Sequence, residues 1–278
     1  LIELVRATLG KELIDELIAS LRLLEKTMGK KLGDIENDPL LIAVRSGAAE
    51  SMAGMMDTIL NLGLNMRSVL SLARARNDAR FAWDTYRRFI EMFGRTVLGV
   101  QENEKARQGF KFILQDIVRE TGRNEEQLKA GDLEALVQRY KDEIKRQGLP
   151  DIPEDPVEQY LMAIYTVMNS SFSKRSMIVR KKEGFKLEDT LSAVNILPMI
   201  FGNMNDQSGS GVAFSRNLQN GKKEHNLEFN VNCQGEDVVS GRKKGLSIEE
   251  LREKFPDLAG NLEAILDFLE SEFKDVQD

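Results

Sequence analysis

The chain has 278 residues, of which 41% are hydrophobic and 30% are charged, a composition typical of a soluble globular protein with one large domain or two ordinary ones. Its net charge of −6 and isoelectric point near 5.2 argue against a protein that holds a nucleic-acid backbone. The single cysteine, Cys233, excludes an intramolecular disulfide and favours a reducing cytoplasm. No apolar run approaches the ~18 residues of a membrane span, and the opening residues lack the features of a signal peptide.

The first half of the chain predicts helix, one short strand and then more helix. Apolar residues recur every three or four positions from the first residue, which predicts a mainly helical segment over residues 1–28 that ends near Gly29. Residues 40–47 are apolar and closed by glycine, which predicts a buried strand. The helical segments that follow include "FAWDTYRRFIEMFGRTVLGV", "KARQGFKFILQDIVRET" and "DLEALVQRYKDEIKRQG", the last with Asp132 placed to cap its start.

The second half opens on a proline cluster and then turns to strands. Pro150, Pro153 and Pro156 break the helical pattern, and "VEQYLMAIYTVMNSSF" predicts a helix after them. The segments "SAVNILPMIFG", "GSGVAFSRN" and "LEFNVNCQGEDVV" then predict strands. Ser247 and Glu250 form a capping box ahead of a helical end that includes "NLEAILDFLESEF".

This order of elements predicts an α/β (α+β) unit that is split in sequence by an all-helical insertion. We place its first part at residues 1–79, the insertion at residues 80–185 and its second part at residues 186–278. The chain opens on Leu1 inside a helical pattern and stops abruptly. We therefore expect it to be a piece of a longer protein.

The stretch "SGAAESMAGMMDTILNLGLN", residues 46–65, is unusual for its mixture of glycine and methionine. An amphipathic helix seldom contains so many glycines, and a solvated loop seldom contains three methionines. Two interpretations remain open from the residues alone. The segment is either part of the core, which the residues slightly favour, or a loop whose backbone approaches a ligand.

Histidine and cysteine usage excludes several kinds of active site. The one histidine, His225, lies in a polar turn between two predicted strands. A three-histidine zinc site is therefore impossible, and no G-x-S-x-G elbow supports a serine triad. We interpret His225 as a solvated turn residue and Cys233 as a small buried hydrophobic residue.

Two features point to phosphate binding. Arg45 directly follows a predicted strand, where a guanidinium can clamp phosphate with two hydrogen bonds. Gly202, Gly209 and Gly211 fall in a predicted turn between strands, where backbone N–H groups could approach an anion. Neither pattern is a Walker or Rossmann motif. A salt bridge for Arg45 and an ordinary hairpin turn for the glycines are the commoner roles.

Glu228 is a candidate magnesium ligand. It lies on the predicted strand "LEFNVN", and Mg²⁺ prefers oxygen ligands such as carboxylates. An exposed acid on an alternating strand is an equally good interpretation.

Four segments closely resemble the nucleotide-binding part of pyruvate, phosphate dikinase: "LLIAVRSGAAESMAGMMDTILNLGLN", "RFAWDTYRRFIEMFG", "MIFGNMNDQSGSGVAFSRN" and "NCQGEDVVSG". They occur in the family's order at compatible spacing, and the closing "FKDVQD" is also similar. The resemblance implies an ATP-grasp fold with an inserted helical subdomain. In that family this region binds Mg-ATP, and the terminal phosphates pass to a histidine on a separate swivelling domain. A third, barrel domain then interconverts pyruvate and phosphoenolpyruvate.

The resemblance also implies site residues, cofactors and partners. The implied ATP contacts are Arg45, Gly54, Met56, Arg88, Met199, Ile200, Gly209, Gly211 and Glu228. Glu228 is in addition the implied Mg²⁺ ligand, and no catalytic residue is implied in this chain. The implied cofactors are ATP and Mg²⁺, and the implied partners are the phosphohistidine and barrel domains. We expect a cytoplasmic protein that can form a homodimer and that binds neither nucleic acid nor membrane.

The chain also departs from the family pattern. The resemblance implies that "SMAGMM" is a phosphate-side loop, and Ala53 there replaces a proline, which makes the loop less stiff. Leu197 replaces a glutamine on the strand before the adenine. The family's Gly-Lys-Gly loop would precede Leu1, and its acidic strand and Gln/Arg pair would follow Asp278. The surroundings of His225 do not resemble the phosphohistidine motif.

Two hypotheses follow, and a third, a helical scaffold that binds no ligand, fits the predicted glycine turn poorly. The first is the nucleotide-binding part of a longer phosphotransferase, in which case the 278-residue chain alone is inactive and binds ATP weakly or not at all. The second is a short degenerate relative that acts as a non-catalytic nucleotide-sensing or protein-binding module. Arg45, Arg88 and Glu228 favour the first hypothesis, whereas Ala53 and Leu197 favour the second.

Overall fold

The computed structural model of the chain describes four segments, residues 1–47, 57–186, 193–239 and 245–278. Contacts group these residues into two compact units, Leu1–Met199 and Ile200–Asp278. Both units combine helices with antiparallel strands. The fold class is therefore mixed helix and sheet, α+β. The three-part division of the chain stays a prediction.

Eight helices and three strands of the first unit are described. They are α1 (Ile2–Leu9), α2 (Lys11–Met28), β1 (Ile42–Gly47), β2 (Thr58–Leu62), α3 (Ser68–Arg76), α4 (Ala79–Phe93), α5 (Phe110–Thr121), α6 (Ala130–Arg146), α7 (Pro156–Ser170), α8 (Lys174–Glu183) and β3 (Ala193–Pro198). A π-helical turn, Gly94–Leu98, extends α4. The described elements of the second unit are β4 (Gly209–Phe214), β5 (Asn226–Val231), α9 (Gly235–Val239), α10 (Ile248–Lys254) and α11 (Pro256–Phe273).

The helical opening is confirmed, and two glycines set its limits. Gly10 has a φ of 76°, which separates α1 from α2. Gly29 adopts the left-handed conformation and ends α2, as predicted. The proline cluster acts as predicted too, since Pro156 occupies the first turn of α7 and Asp155 accepts the backbone N–H of Val157.

Two predicted caps are present, one of them in a different position. Asp132 lies inside the first turn of α6 and accepts the backbone N–H of Lys129 at 2.9 Å, so it caps the helix from within. Ser247 and Glu250 form the predicted capping box at α10, with each side chain accepting the other's backbone N–H.

The segment "LEFNVNCQGEDVV" is a strand over less of its length than predicted. β5 ends at Val231, because Asn232 takes a positive φ of 51°. The apolar pair at the end of the segment belongs to α9, where the Asp237 carboxylate accepts the backbone N–H of Gln234. Helices α3 and α8 were not identified individually, although α3 lies in the helical region expected after residues 46–65 and α8 lies in the predicted all-helical insertion. The outward face of α8 alternates lysine with apolar residues, so it shows no clear apolar stripe.

In the first unit, β1 is the central strand of an antiparallel sheet with the order β2-β1-β3. Its first three residues, Ile42, Ala43 and Val44, are buried, as predicted for this segment. The next residue, Arg45, is exposed. The central strand therefore leaves the core at Arg45.

The helical part of this unit has an aromatic core. Tyr86, Phe89 and Phe93 are buried along one face of α4. The rings of Phe110 and Tyr140 lie 4.3 Å apart between α5 and α6. Burial of such rings accounts for much of the stability that a helical layer gains on folding.

The second unit is smaller. Strands β4 and β5 form a two-stranded antiparallel sheet. Leu227, Ile248, Leu251 and Ala259 form its buried cluster, which joins β5 to α10 and α11. None of the described helices is both long enough and apolar enough to span a bilayer.

Arg87 on α4 is the centre of a buried ion-pair network. Its guanidinium lies 2.7 Å from the Asp84 carboxylate and 3.0 Å from the Glu91 carboxylate, and its side chain is 3% exposed. Burial by itself would raise the pKa of Asp84. The guanidinium groups of Arg87 and Arg88 outweigh that effect and lower the pKa of Asp84 to about 2.

We expect Asp84→Asn to lower the free energy of unfolding by about 3–5 kcal/mol, because it leaves the buried charge of Arg87 without its nearest partner. Asp116→Asn is the matched control. Its carboxylate pairs with Arg107 and Arg119 at the surface, so we expect a loss of no more than about 1 kcal/mol. Urea unfolding at neutral pH measures both, and equal losses would contradict this account.

The same network predicts a dependence on pH. A carboxylate with a depressed pKa contributes stability above its unfolded value of 3.8, and this contribution is lost as the pH falls towards about 2. The contribution of Asp84 at neutral pH is about 2 kcal/mol. Asp84→Asn should therefore flatten the fall in stability in this acid range, which Asp116→Asn should leave largely unchanged.

Candidate functional site

Arg45 stands at the point where β1 leaves the core. Its strand neighbours are Thr58 on β2 and Asn195 on β3. Among the described residues its guanidinium has neither a hydrogen bond nor an ion pair, so the salt bridge considered from sequence is not found there. An exposed and unpaired guanidinium is suited to bind an oxyanion with two hydrogen bonds.

An ion pair that the sequence did not reveal lies beside this strand end. Arg175 on α8 reaches Asp57 at 3.2 Å, and Asp57 comes one residue before Thr58. Burial raises the pKa of the Asp57 carboxyl, although Arg175 opposes the shift. No sequence signal could have found this pair, because its members are far apart in the chain.

Arg88, the second arginine expected at the site, is in a different situation from Arg45. It is on α4, its side chain is 13% exposed, and its Nε donates to Asp84 at 3.1 Å. The guanidinium is thus anchored by a buried carboxylate. A role for Arg88 in ATP binding stays a prediction.

The residues expected near the adenine follow the end of β3. The backbone N–H of Met199 donates to the Leu41 carbonyl at 2.8 Å, which holds this segment against β1. Leu197, which replaces the family glutamine, is half-exposed opposite Ala43. Ile200 is the first residue of the second unit, and its side chain is 92% exposed.

Part of the expected phosphate loop lies outside the described residues. This holds for Ala53, Gly54 and Met56. The end of the same stretch is described, and it forms β2 with Ile59 and Leu62 fully buried. The packed half of the stretch is therefore core, whereas the loop interpretation of the other half stays a prediction.

Gly209 and Gly211 lie within β4, which confirms the predicted strand over Gly209–Phe214 and corrects the prediction that these two glycines lie in a turn. They pair with Val231 and Phe229 of β5. A Cβ atom on Gly209 would overlap the Phe229 ring and come within 2.8 Å of the Asn230 carbonyl oxygen. The close approach of the two strands thus requires glycine here, and this packing requirement explains the glycines without a ligand. A nucleotide contact at either glycine stays a prediction.

Glu228 is exposed on β5, and its Oε1 accepts the backbone N–H of Gly245 at 3.2 Å. Two residues further on, Asn230 is buried, and its Nδ2 has no hydrogen bond among the described residues. One oxygen of Glu228 is therefore already used, and the other lacks a partner in the described part of the chain.

The fit of this carboxylate to Mg²⁺ follows from that geometry. Within the four described segments, no three histidine, cysteine or acidic side chains are grouped to hold a metal ion. Mg²⁺ at nucleotide sites commonly takes one or two carboxylates, with phosphate and water oxygens completing its shell. The exposed Glu228 suits that limited role.

His225 is less solvated than predicted. It precedes β5, its side chain is 13% exposed, and its Nε2 lies 3.3 Å from Asp267 Oδ1. Cys233 is buried, as predicted, with its Sγ 3.4 Å from the Asn230 carbonyl oxygen.

The fold and these groups together describe an α+β protein with an arginine suited to a phosphate and a carboxylate suited to a cation. The sequence profile of the pyruvate phosphate dikinase AMP/ATP-binding domain matches residues 3–247. The chain belongs to this family.

Relatives that are about two-fifths identical to this chain are named pyruvate, phosphate dikinases. The chain is 41% identical over 269 residues to pyruvate, phosphate dikinase of Rhizobium meliloti (strain 1021), covering 92% of this chain and 29% of that protein. It is 40% identical over 272 residues to the chloroplastic pyruvate, phosphate dikinase of Mesembryanthemum crystallinum, covering 97% and 28%. For the pyruvate, phosphate dikinase of Clostridium symbiosum the identity is 38% over 270 residues, covering 96% and 30%. The chain thus spans less than a third of the length of these relatives.

We expect Gly209→Ala to lower the free energy of unfolding by about 1–3 kcal/mol, because the added methyl group must push the Phe229 ring and a neighbouring carbonyl aside. Gly235→Ala is the matched control, since a Cβ there meets no atom within 4 Å. Thermal unfolding followed by circular dichroism compares the two. A Gly209→Ala chain as stable as Gly235→Ala would contradict the packing account of the glycines.

Proposed function

We propose that this chain is the nucleotide-binding part of a pyruvate, phosphate dikinase-like phosphotransferase. It binds ATP with Mg²⁺ and passes phosphoryl groups to a histidine on a separate domain, for the interconversion of pyruvate and phosphoenolpyruvate. Membership of a family described by AMP/ATP binding supports the nucleotide. The structural observation that carries the proposal is the exposed guanidinium of Arg45, which has no partner among the described residues.

The work of this chain in phosphoryl transfer is positioning and electrostatic stabilisation. Arg45 binds phosphate oxygens and offsets their negative charge as the phosphoryl group leaves. Glu228 supplies one carboxylate oxygen to Mg²⁺, which when bound neutralises phosphate charge. The ion pair of Asp57 with Arg175 holds the start of β2 beside the strand that presents Arg45.

The proposed architecture is an ATP-grasp domain with an inserted helical subdomain, divided at residues 1–79, 80–185 and 186–278. The order of elements supports it, because β1 and β2 precede the run of helices α3 to α8 and β3 follows it. The proposed partners are a phosphohistidine domain and a barrel domain, and the proposed location is the cytoplasm. The remaining contacts proposed for the nucleotide are Gly54, Met56, Arg88, Met199, Ile200, Gly209 and Gly211.

A second candidate is a non-catalytic nucleotide-sensing or protein-binding module. The state of Arg88 favours it, because its Nε is held by the buried carboxylate of Asp84. The half-exposed Leu197 on β3 favours it as well, since it supplies no polar group beside the proposed adenine position.

We expect Arg45→Gln to weaken Mg-ATP binding by at least about tenfold, because it removes a charged, two-pronged hydrogen-bond donor. Arg67→Gln is the matched control, since Arg67 is also exposed and its guanidinium has no ion pair among the described residues. Titration of the chain with Mg-ATP, followed by backbone amide shifts, detects even weak binding. Equal loss in both variants, or none in either, would remove Arg45 from the site.

The same titration also bears on the second candidate function. If the wild-type chain shows no shift even with millimolar Mg-ATP, this chain does not bind the nucleotide by itself, and a protein-binding module is favoured over a nucleotide-sensing one. If Mg-ATP shifts the backbone amide signals of β1 and Arg45→Gln abolishes these shifts, the phosphotransferase proposal is supported.

We expect Glu228→Gln to reduce the gain in ATP affinity that Mg²⁺ brings, while ATP binding without metal changes little, because the amide is a poorer ligand for a hard cation. Glu224→Gln, in the exposed turn before β5, is the control. The readout is the ratio of dissociation constants with and without Mg²⁺. An unchanged ratio in Glu228→Gln would contradict the assignment of Glu228 as the metal ligand.

A further inference from the structure

Helix α8 presents an outward face that mixes lysines with exposed apolar side chains. Lys174, Ile178 and Lys181 are spaced to lie on one side of the helix, with Met177 beside them. Ile178 is 67% exposed and Met177 is 48% exposed. The opposite side holds Ser176, which is fully buried and attaches the helix to the end of α7.

The charge of this segment is strongly positive in an acidic protein. Residues 172–186 contain six basic residues and one acidic residue, whereas the whole chain has a net charge of −6. Arg175 forms an ion pair with Asp57, and Arg180 donates a hydrogen bond to the Ser171 carbonyl. Lys174 and Lys181 have no ion-pair partner among the described residues. Their charges are therefore available on the outward face.

Helix α11 presents a face of the opposite charge. Ile265, Phe268 and Glu272 are spaced to lie on one side of it, with Leu258 two turns earlier. Ile265 is 54% exposed and Phe268 is 62% exposed. Ala259 and Leu266 are buried, and Ala259 belongs to the buried cluster of the second unit.

The acids of this helix divide into paired and unpaired groups. Residues 256–278 contain seven acidic residues and one basic residue. Glu263 and Glu270 pair with arginines, and Asp267 pairs with a lysine. Asp257 and Glu272 are exposed and have no ion-pair partner among the described residues.

We propose that the outward face of α8 in one copy of this chain docks on the outward face of α11 in a second copy. Each face places large exposed apolar side chains beside unpaired charges, and the charges of the two faces are opposite. Charge complementarity of this kind sets orientation and speeds association, while the apolar side chains gain by leaving water. The inference goes beyond the proposed nucleotide function, because none of these residues belongs to that site.

The size and charge of the faces define the strength of the contact. α8 has ten residues, which corresponds to a length of about 15 Å. A contact of one short helix with another buries less than the ~1,200 Å² of a stable interface. The association is therefore weak and reversible, and salt weakens it by screening the unpaired charges.

The test is sedimentation equilibrium of the full 278-residue chain over a range of concentrations, at low and high salt. We expect concentration-dependent association at low salt that high salt weakens. Lys174→Glu with Lys181→Glu should raise the dissociation constant by about tenfold or more, and so should Asp257→Lys with Glu272→Lys, because each places like charges opposite each other. Both sets of positions are exposed, and circular dichroism checks that the fold is kept.

The two double variants provide the decisive comparison. Each is expected to be monomeric alone, whereas an equimolar mixture should associate again, because the reversed α8 face of one meets the reversed α11 face of the other. Lys11→Glu with Lys105→Glu makes the same change of net charge at exposed positions on neither face, and it should leave association unchanged. A wild-type chain that stays monomeric throughout would overturn the proposal. The proposal would also be overturned if the equimolar mixture of the two double variants did not associate. The same would follow if the control variant lost association to the same extent as the double variants.

Discussion

The pairing of β1 with β3 is the constraint on which the first unit depends. It joins Ile42–Gly47 to Ala193–Pro198 through six consecutive residue pairs, although the helices α3 to α8 lie between them in sequence. Closing so long a loop costs conformational entropy, which burial of apolar strand residues such as Ile42 and Val44 offsets. The same pairing places Arg45 at an exposed strand end with Asn195 across from it. The proposed phosphate site is thus a consequence of where the central strand leaves the core.

Two arginines in this unit illustrate how environment decides the role of a side chain. Arg87 is surrounded by carboxylates in the interior, where an unpaired charge would be costly, so its function is structural. Arg45 is exposed and lacks a partner among the described residues, so its charge remains available to a ligand. Arg88 lies between these cases, since Asp84 anchors it without burying it fully. The first unit thus contains one buried guanidinium that is fully paired and one exposed guanidinium without a partner among the described residues.

Elements with strong local signals were predicted well. The repeating apolar residues of α1 and α2, the apolar run of β1, the break before α7 and the capping box of α10 are all visible within short stretches of sequence. The errors occurred where distant contacts decide the outcome. Gly209 and Gly211 look like turn residues in sequence, but the Phe229 ring of the neighbouring strand occupies the space that their side chains would need. The Asp57–Arg175 pair left no sequence signal at all.

The amino-acid order alone was sufficient for the helices with a clear apolar pattern, the capping box of α10, the α+β class and the family, because these follow from local spacing and from long motifs in register. Contacts between residues that are distant in sequence were revealed only by the tertiary structure. The contacts that form in the folded chain decide the burial of Arg87, the exposure of Arg45, the glycine requirement of β4 and the paired state of Arg88. These contacts set the local dielectric and the hydrogen bonds of each charged group. Local spacing contains no information about either.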